Sequence, residues 1–331
     1  MKKNVQSAAT ISTLAFAVLV LSTNAVADQF DFEVAAAFDR TQFEGSKTTT
    51  TQGGTVFNSG ETDTDELSLF GSWFFAGMSD DKGPRARAVF VDRASSVSIG
   101  YSSLDQTTKT LVIFDDPAFP FPDFDQTLKT DGDSFAVDVR YVDRDSGWFG
   151  DIGLLTTDVT LSGFVSDSVD GNGWRLGVGK YLFDTTALGL DYSDVDVDGG
   201  GGATVIAVSF THLGDLGSRW QYAVDLGYAR SESDFGTELD TWDAAFSLYP
   251  TRDFEFGIAI EDVSGDSQGF LDFDTTGITG FASWFVTPNV KLAALYRVDD
   301  VGYFGNVGIP GEPTESDADQ DSFGLSVAVR F

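Results

Sequence analysis

Charged side chains recur at alternate positions within otherwise apolar or small-residue stretches of this chain. Asp138 and Arg140 stand two apart around Val139, and Arg175, Asp191, Asp225, Asp243, Glu255, Lys291, Arg297 and Arg330 occupy comparable places. In an extended strand residues i and i+2 share a face, so these groups form one inward-facing set if the apolar alternates face outward. Opposed carboxylates and cations around a lumen would order water and polar solutes and set ion selectivity. The same groups could instead pair across neighbouring strands and stiffen a wall. A second acidic set, Asp115, Asp116, Asp123 and Asp125, belongs to a stretch with four phenylalanines and three prolines between positions 114 and 125. Four such rings favour burial over exposure. Folding residues 107–132 into the mouth of a barrel would bury them and make the four aspartates a constriction. An external flap packed on neighbouring loops or on another protomer is the alternative. The prolines exclude an ordinary hairpin interior.

The elements that must position these groups are strands. Period-two alternation between Gly, Asp, Asn and Pro punctuation marks fourteen of them, near 29–40, 66–76, 92–106, 133–143, 148–164, 173–183, 187–196, 203–213, 218–230, 239–249, 253–263, 275–286, 289–300 and 320–331. An even number suits a closed up-and-down antiparallel barrel, and the count holds between twelve and sixteen. Connectors alternate as well. Links after even strands are short, such as 144–147, 184–186, 250–252 and 287–288, with 77–84 the longest; links after odd strands are longer and acidic, such as 41–65, 107–132 and 301–319. This asymmetry matches short periplasmic turns and long extracellular loops. In the ninth strand Trp220, Tyr222, Val224, Leu226 and Tyr228 share one face against Gln221, Ala223, Asp225, Gly227 and Ala229. Apolar-out and polar-in is the reverse of a soluble barrel.

The N-terminus carries Lys2 and Lys3, an apolar run from Ile11 to Leu21 and a small-residue Ala25-Val26-Ala27 pattern, which predicts a secretory signal peptide cleaved after Ala27 and a single barrel domain over 28–331. The chain has 52 acidic against 20 basic residues, net −32, which argues against a nucleic-acid partner. Cysteine is absent, excluding disulfides and thiolate chemistry. His212 is the single histidine, placed at a strand end, and nothing around it or around Asp115-Asp116 assembles a nucleophile and base, so the reading is not an enzyme and without a cofactor. Asp194 to Gly199 opens like a calcium loop, but Val205 stands where the bidentate Glu belongs, so no specific metal site is expected beyond loose cation adsorption.

The last ten residues, Ser322 to Phe331, alternate strictly and end on an aromatic. With the signal peptide and the loop asymmetry, this resembles the Gram-negative outer-membrane β-barrel porins, and the stretch from Gly83 to Ser98 is similar to segments of porins from marine and environmental proteobacteria. The resemblance implies residence in the cell outer membrane, contact with its lipids and lipopolysaccharide, recognition of Phe331 by the β-barrel assembly machinery, and passive diffusion of ions and small hydrophilic solutes. It also implies a possible homo-oligomer, although trimeric general porins commonly have sixteen strands. The excess of acid makes cation preference the expectation. A closed barrel acting as an adhesin, a receptor or a structural outer-membrane protein is the competing reading.

Overall fold

The computed structural model describes residues 29–51, 54–79, 82–115, 124–163, 167–198, 201–234, 236–267, 271–305 and 314–331; the expected signal peptide lies outside them. Fourteen strands form one closed antiparallel barrel in which each pairs with its sequence neighbours and the last pairs with the first. They are β1 (Gln29–Thr51), β2 (Gly54–Ser79), β3 (Ser96–Asp115), β4 (Phe124–Val142), β5 (Trp148–Ser162), β6 (Asp167–Phe183) and β7 (Thr186–Val197). The circuit continues with β8 (Gly202–Leu216), β9 (Trp220–Ser233), β10 (Thr237–Thr251), β11 (Phe254–Ser267), β12 (Leu271–Thr287), β13 (Val290–Gly305) and β14 (Thr314–Arg330). Among the described residues no helix is long and apolar enough to cross a membrane.

Closure removes the sheet edges that a strand pair would otherwise leave unpaired. Glu33 to Gly45 of β1 pair with Ala318 to Arg330 of β14. Phe331 extends the seam: its N–H donates to Phe32 O at 2.9 Å, and its own carbonyl accepts from Asp31 N at 2.8 Å. The outer face is apolar around the circuit, with Leu154 61%, Trp242 59%, Ile206 54%, Ile278 51% and Leu325 49% exposed. Those rings and branched chains contact hydrocarbon in a bilayer and would be a liability in water. Tight turns join strands at one end. In the β4–β5 turn Gly147 adopts φ +75, and a Cβ there would lie 2.9 Å from Tyr181 O, so the turn requires glycine.

Two expectations about extent are corrected. The strands rise well beyond the apolar band: β1 and β2 have 23 and 26 residues, and β3 and β4 have 20 and 19. Residues expected as a loop at 107–132 continue the β3–β4 ladder as far as Val112↔Phe124. The third strand begins at Ser96 rather than 92, because residues 82–95 form a separate folded segment with a 3-10 turn at Arg85–Arg87 and a single α-helical turn at Ala88–Val91.

Candidate functional site

The segment 82–95 leaves β2 at the short-turn end and folds across the lumen before rejoining the wall as β3. Its apolar residues explain why it does not hang in solvent. Ala88 and Ala94 pack with Phe30, Phe74 and Met78 at the β1–β2 side. Phe90 joins Val142, Tyr181 and Ala187 on one side, its ring 5.3 Å from that of Tyr181. Ala86, Phe90 and Val91 pack against Leu213, Ala223 and Tyr249 on the other. Three small hydrophobic clusters on separate arcs of the barrel are thereby stitched together by one strap.

Arginines fix the strap's course. Arg85 pairs with Asp253 in the β10–β11 turn, its N–H donates to Arg252 O at 2.9 Å, and its carbonyl accepts from Arg330 Nη1 at 3.1 Å. Arg87 donates through Nε to Tyr249 Oη at 2.8 Å and through both Nη groups to the two oxygens of Asp225. Burial works against the charge of Arg87, but Tyr249 and Asp225 outweigh it and raise the pKa above the ordinary guanidinium value. At the far end Asp92 accepts from Lys82 Nζ at 2.7 Å, Ser79 N at 3.2 Å and Arg144 Nη2 at 3.3 Å. Arg93, at φ 51, turns the chain back toward the wall and donates to Asp184 at 2.9 Å while lying 4.9 Å over Tyr181. The strap therefore touches β4, β6, β8, β9, β10 and β14 or their turns, and so spans the short-turn end of the barrel from one arc to another.

Beyond the strap the charged residues fall into two arcs. On β4 to β7, Arg140 sits 3.2 Å from Asp151 and 4.2 Å over Phe149, and Arg175 stands between Asp138 at 3.8 Å and Asp191 at 3.6 Å. On β9 to β13, Asp225 holds Arg87, and Asp243 is the direct cross-strand partner of Glu261. Glu261 accepts from Arg297 at 2.7 Å, and Arg297 Nε also reaches Asp299 at 2.7 Å. Gly227 makes room for Asp243, whose carboxylate occupies the space a Cβ there would take, and Gly277 does the same for Asp299.

Three of the expected lumen residues sit low against the strap and near β1. Glu255 is 9% exposed and accepts from Tyr249 Oη at 2.7 Å and Ser283 Oγ at 2.9 Å. Arg330 is 4% exposed, bonded to Glu33 at 2.6 Å and held between the rings of Phe30 and Phe285. This is a bracket between strand end and strap rather than a wall charge facing open water. Lys291 lines a cavity of about 210 Å³ with Glu33, Ala35 and Phe70. Of the expected constriction, Asp116 and Asp123 lie outside the described residues, Asp115 ends β3, and Asp125 is an exposed ladder residue of β4 paired with Leu111. Asp194 and Asp196 are ladder residues of β7 opposite Thr204 and Gly202. His212 bonds Thr186 Oγ1 at 2.8 Å near Tyr222, at the short-turn rim.

Sequence reasoning missed Arg85 and Arg87, placed Glu261 on the inward face without naming it as a lining charge, and missed Asp151 and Asp299. The last three follow from alternation alone. The first two could have been found from the strand-breaking Gly83-Pro84 followed by alanines, valines and one phenylalanine that carry no period of two.

No family model and no curated protein matches the chain. Among solved structures, a TodX mutant described as a monoaromatic hydrocarbon channel superposes with TM-score 0.52 at 12% identity, covering 91% of this chain and 91% of its own. The Acinetobacter baumannii outer membrane protein Omp33 is 16% identical over 92% of this chain and 99% of its own, with TM-score 0.49. The KdgM porin, in complex with disordered oligogalacturonate, is 11% identical over 62% of this chain and 95% of its own, with TM-score 0.35. At these identities the likeness is one of architecture: the chain has the fold of the outer-membrane β-barrel channels.

Proposed function

We propose that this protein is an outer-membrane channel for passive diffusion of ions and small hydrophilic solutes, cation-preferring, and held closed at its periplasmic end by the 82–95 strap. Fourteen strands enclose a lumen intermediate between barrels filled by side chains and open porins. The observation that carries the reading is the lining: charged and small residues face inward on both arcs, so the interior above the strap is built for water rather than packed as a core. Carboxylates outnumber the inward cations there. No cation is among the main groups acting on Asp39, Glu66 and Asp243, whereas Arg175 stands between Asp138 and Asp191, which supports preference for cations. The strap is tethered to the wall by ion pairs and side-chain packing, contacts that can break without unfolding a strand.

The test is single-channel recording of the refolded barrel in a planar bilayer under a salt gradient. Discrete opening steps with a reversal potential of cationic sign are expected, and their frequency should rise when the strap is shortened by removing residues 85–91. A heat-modifiable barrel that stays silent in both forms would refute the channel reading. The filled lumen floor would then favour the second reading, a closed receptor-like or structural barrel.

A further inference from the structure

We propose that the lumen wall from β8 to β11 holds a subsite for a cationic solute with a guanidinium-type headgroup, and that Arg87 occupies it as a built-in ligand in the closed barrel. The inference rests on the channel reading, since a solute reaches this wall only through the lumen. Its first support is that the acceptors are organised by the wall itself. Thr211 Oγ1 donates to Asp225 at 2.8 Å and so orients that carboxylate from the strand beside it. The Tyr249 hydroxyl gives its proton to Glu255 at 2.7 Å, which leaves its lone pairs to accept the Nε proton of Arg87. Ser283 holds the second oxygen of Glu255 at 2.9 Å. Withdrawal of the strap leaves this set of acceptors in place and unoccupied.

Its second support is shape. Asp225 takes both Nη groups and Tyr249 takes Nε, the planar fork that a guanidinium presents and an ammonium cannot. A third, independent observation lies two residues away on the same face of β10: Ser247 Oγ is buried without a hydrogen-bond partner, the residue 1% exposed between Ala223 of β9 and Gly257 of β11. Buried polar atoms are nearly always satisfied, and Arg87, which reaches Tyr249 and Asp225, does not satisfy this one. Asp243 stands close enough to Asp225 to act on it electrostatically, and its cross-strand partner Glu261 extends the acidic wall away from the strap. A cation descending the lumen meets these groups first. Glu255 is buried with one oxygen accepting from Tyr249 and the other from Ser283, so Asp225 is the carboxylate that takes the headgroup.

The test is chemical rescue. Ethylguanidinium is titrated calorimetrically into the refolded Arg87→Ala barrel in detergent, with ethylammonium as the comparison cation. Saturable ethylguanidinium binding is expected in Arg87→Ala, weaker by at least about tenfold for ethylammonium, in wild type where Arg87 competes, and in Arg87→Ala/Asp225→Asn, the factor expected for losing a charge-assisted bond. A heat-modifiable Arg87→Ala barrel without saturable binding, or binding unchanged by Asp225→Asn, overturns the proposal. Should Arg87→Ala fail to fold, Arg87→Gln keeps the stem and is read the same way. The readout does not depend on conductance: binding by a barrel that never conducts would sink the channel reading and leave the subsite standing, and conductance without binding would do the reverse.

Discussion

Truncating Phe90 to alanine should open the barrel. The ring is the strap's largest apolar contact and packs on two arcs at once, against Tyr181 and Val142 on one side and against Leu213, Ala223 and Tyr249 on the other. Removing a fully buried phenylalanine costs about 3–5 kcal/mol. Phe90 is only partly buried, so roughly half of that, about 2 kcal/mol, is lost from the closed state, and a ring released into the open lumen loses nothing comparable there. By mass action, 2 kcal/mol raises the ratio of open to closed barrels about 30-fold. The assay is the open-time fraction in single-channel records at low voltage, measured at about 0.1 M and about 1 M salt, where the Debye length falls from about 10 Å to 3 Å. Because the lost contact is apolar, the increase should survive high salt, whereas an increase produced by Arg87→Ala should shrink as wild type itself loosens. An open-time fraction for Phe90→Ala within twofold of wild type would refute the idea that this packing holds the strap down.

Other outcomes follow from the lumen and the seam. Lys291→Glu with Arg297→Glu should shift the reversal potential further toward cations, since Arg297 neutralises Glu261 and Asp299; an unchanged potential would show that neither group governs selectivity. Gly227→Ala places a Cβ where the Asp243 carboxylate now lies, forcing that side chain to move, so unitary conductance should change while heat-modifiability is retained; an identical trace would mean Asp243 does not line the conducting path. Deleting Phe331 removes the backbone pairing with Asp31 and Phe32 as well as a ring packed near Ala328 and Val329, and should lower the amount of folded barrel recovered from outer membranes without changing synthesis. Normal recovery would contradict that role.

The barrel was legible because a strand in a bilayer must alternate: the outward sequence Phe254, Phe256, Ile258, Ile260 of β11 has no other economical explanation. Strand number and the short-turn pattern came from the same signal. Extent was not legible above the membrane, where β2 reads Thr62-Asp63-Thr64-Asp65 on both faces and both faces are wet, so periodicity vanishes although the ladder with β3 continues. The inward charges could be assigned to a face but not to partners. Which acids meet Arg175, or which acid besides Asp299 two residues on meets Arg297, depends on the register of neighbouring strands, and a one-residue slip would change those cross-strand pairings. The strap escaped because its information lies in tertiary contact: Arg85 and Arg87 acquire meaning only beside Asp253 and Asp225, about 140 to 170 residues away.

The unequal height of the wall shapes how anything approaches the mouth. The β1–β2 hairpin runs about 13 residues past Leu67, its last exposed leucine before the turn, to Gly54, or about 43 Å along a strand at 3.3 Å per residue; β7, by contrast, ends at Val197, five residues past Tyr192. The wall is therefore a parapet on one side and a low sill on the other. In the channel proposed above, small solutes would come over the sill, while a bulky globular ligand would meet first the backbone-bonded β1–β2 hairpin.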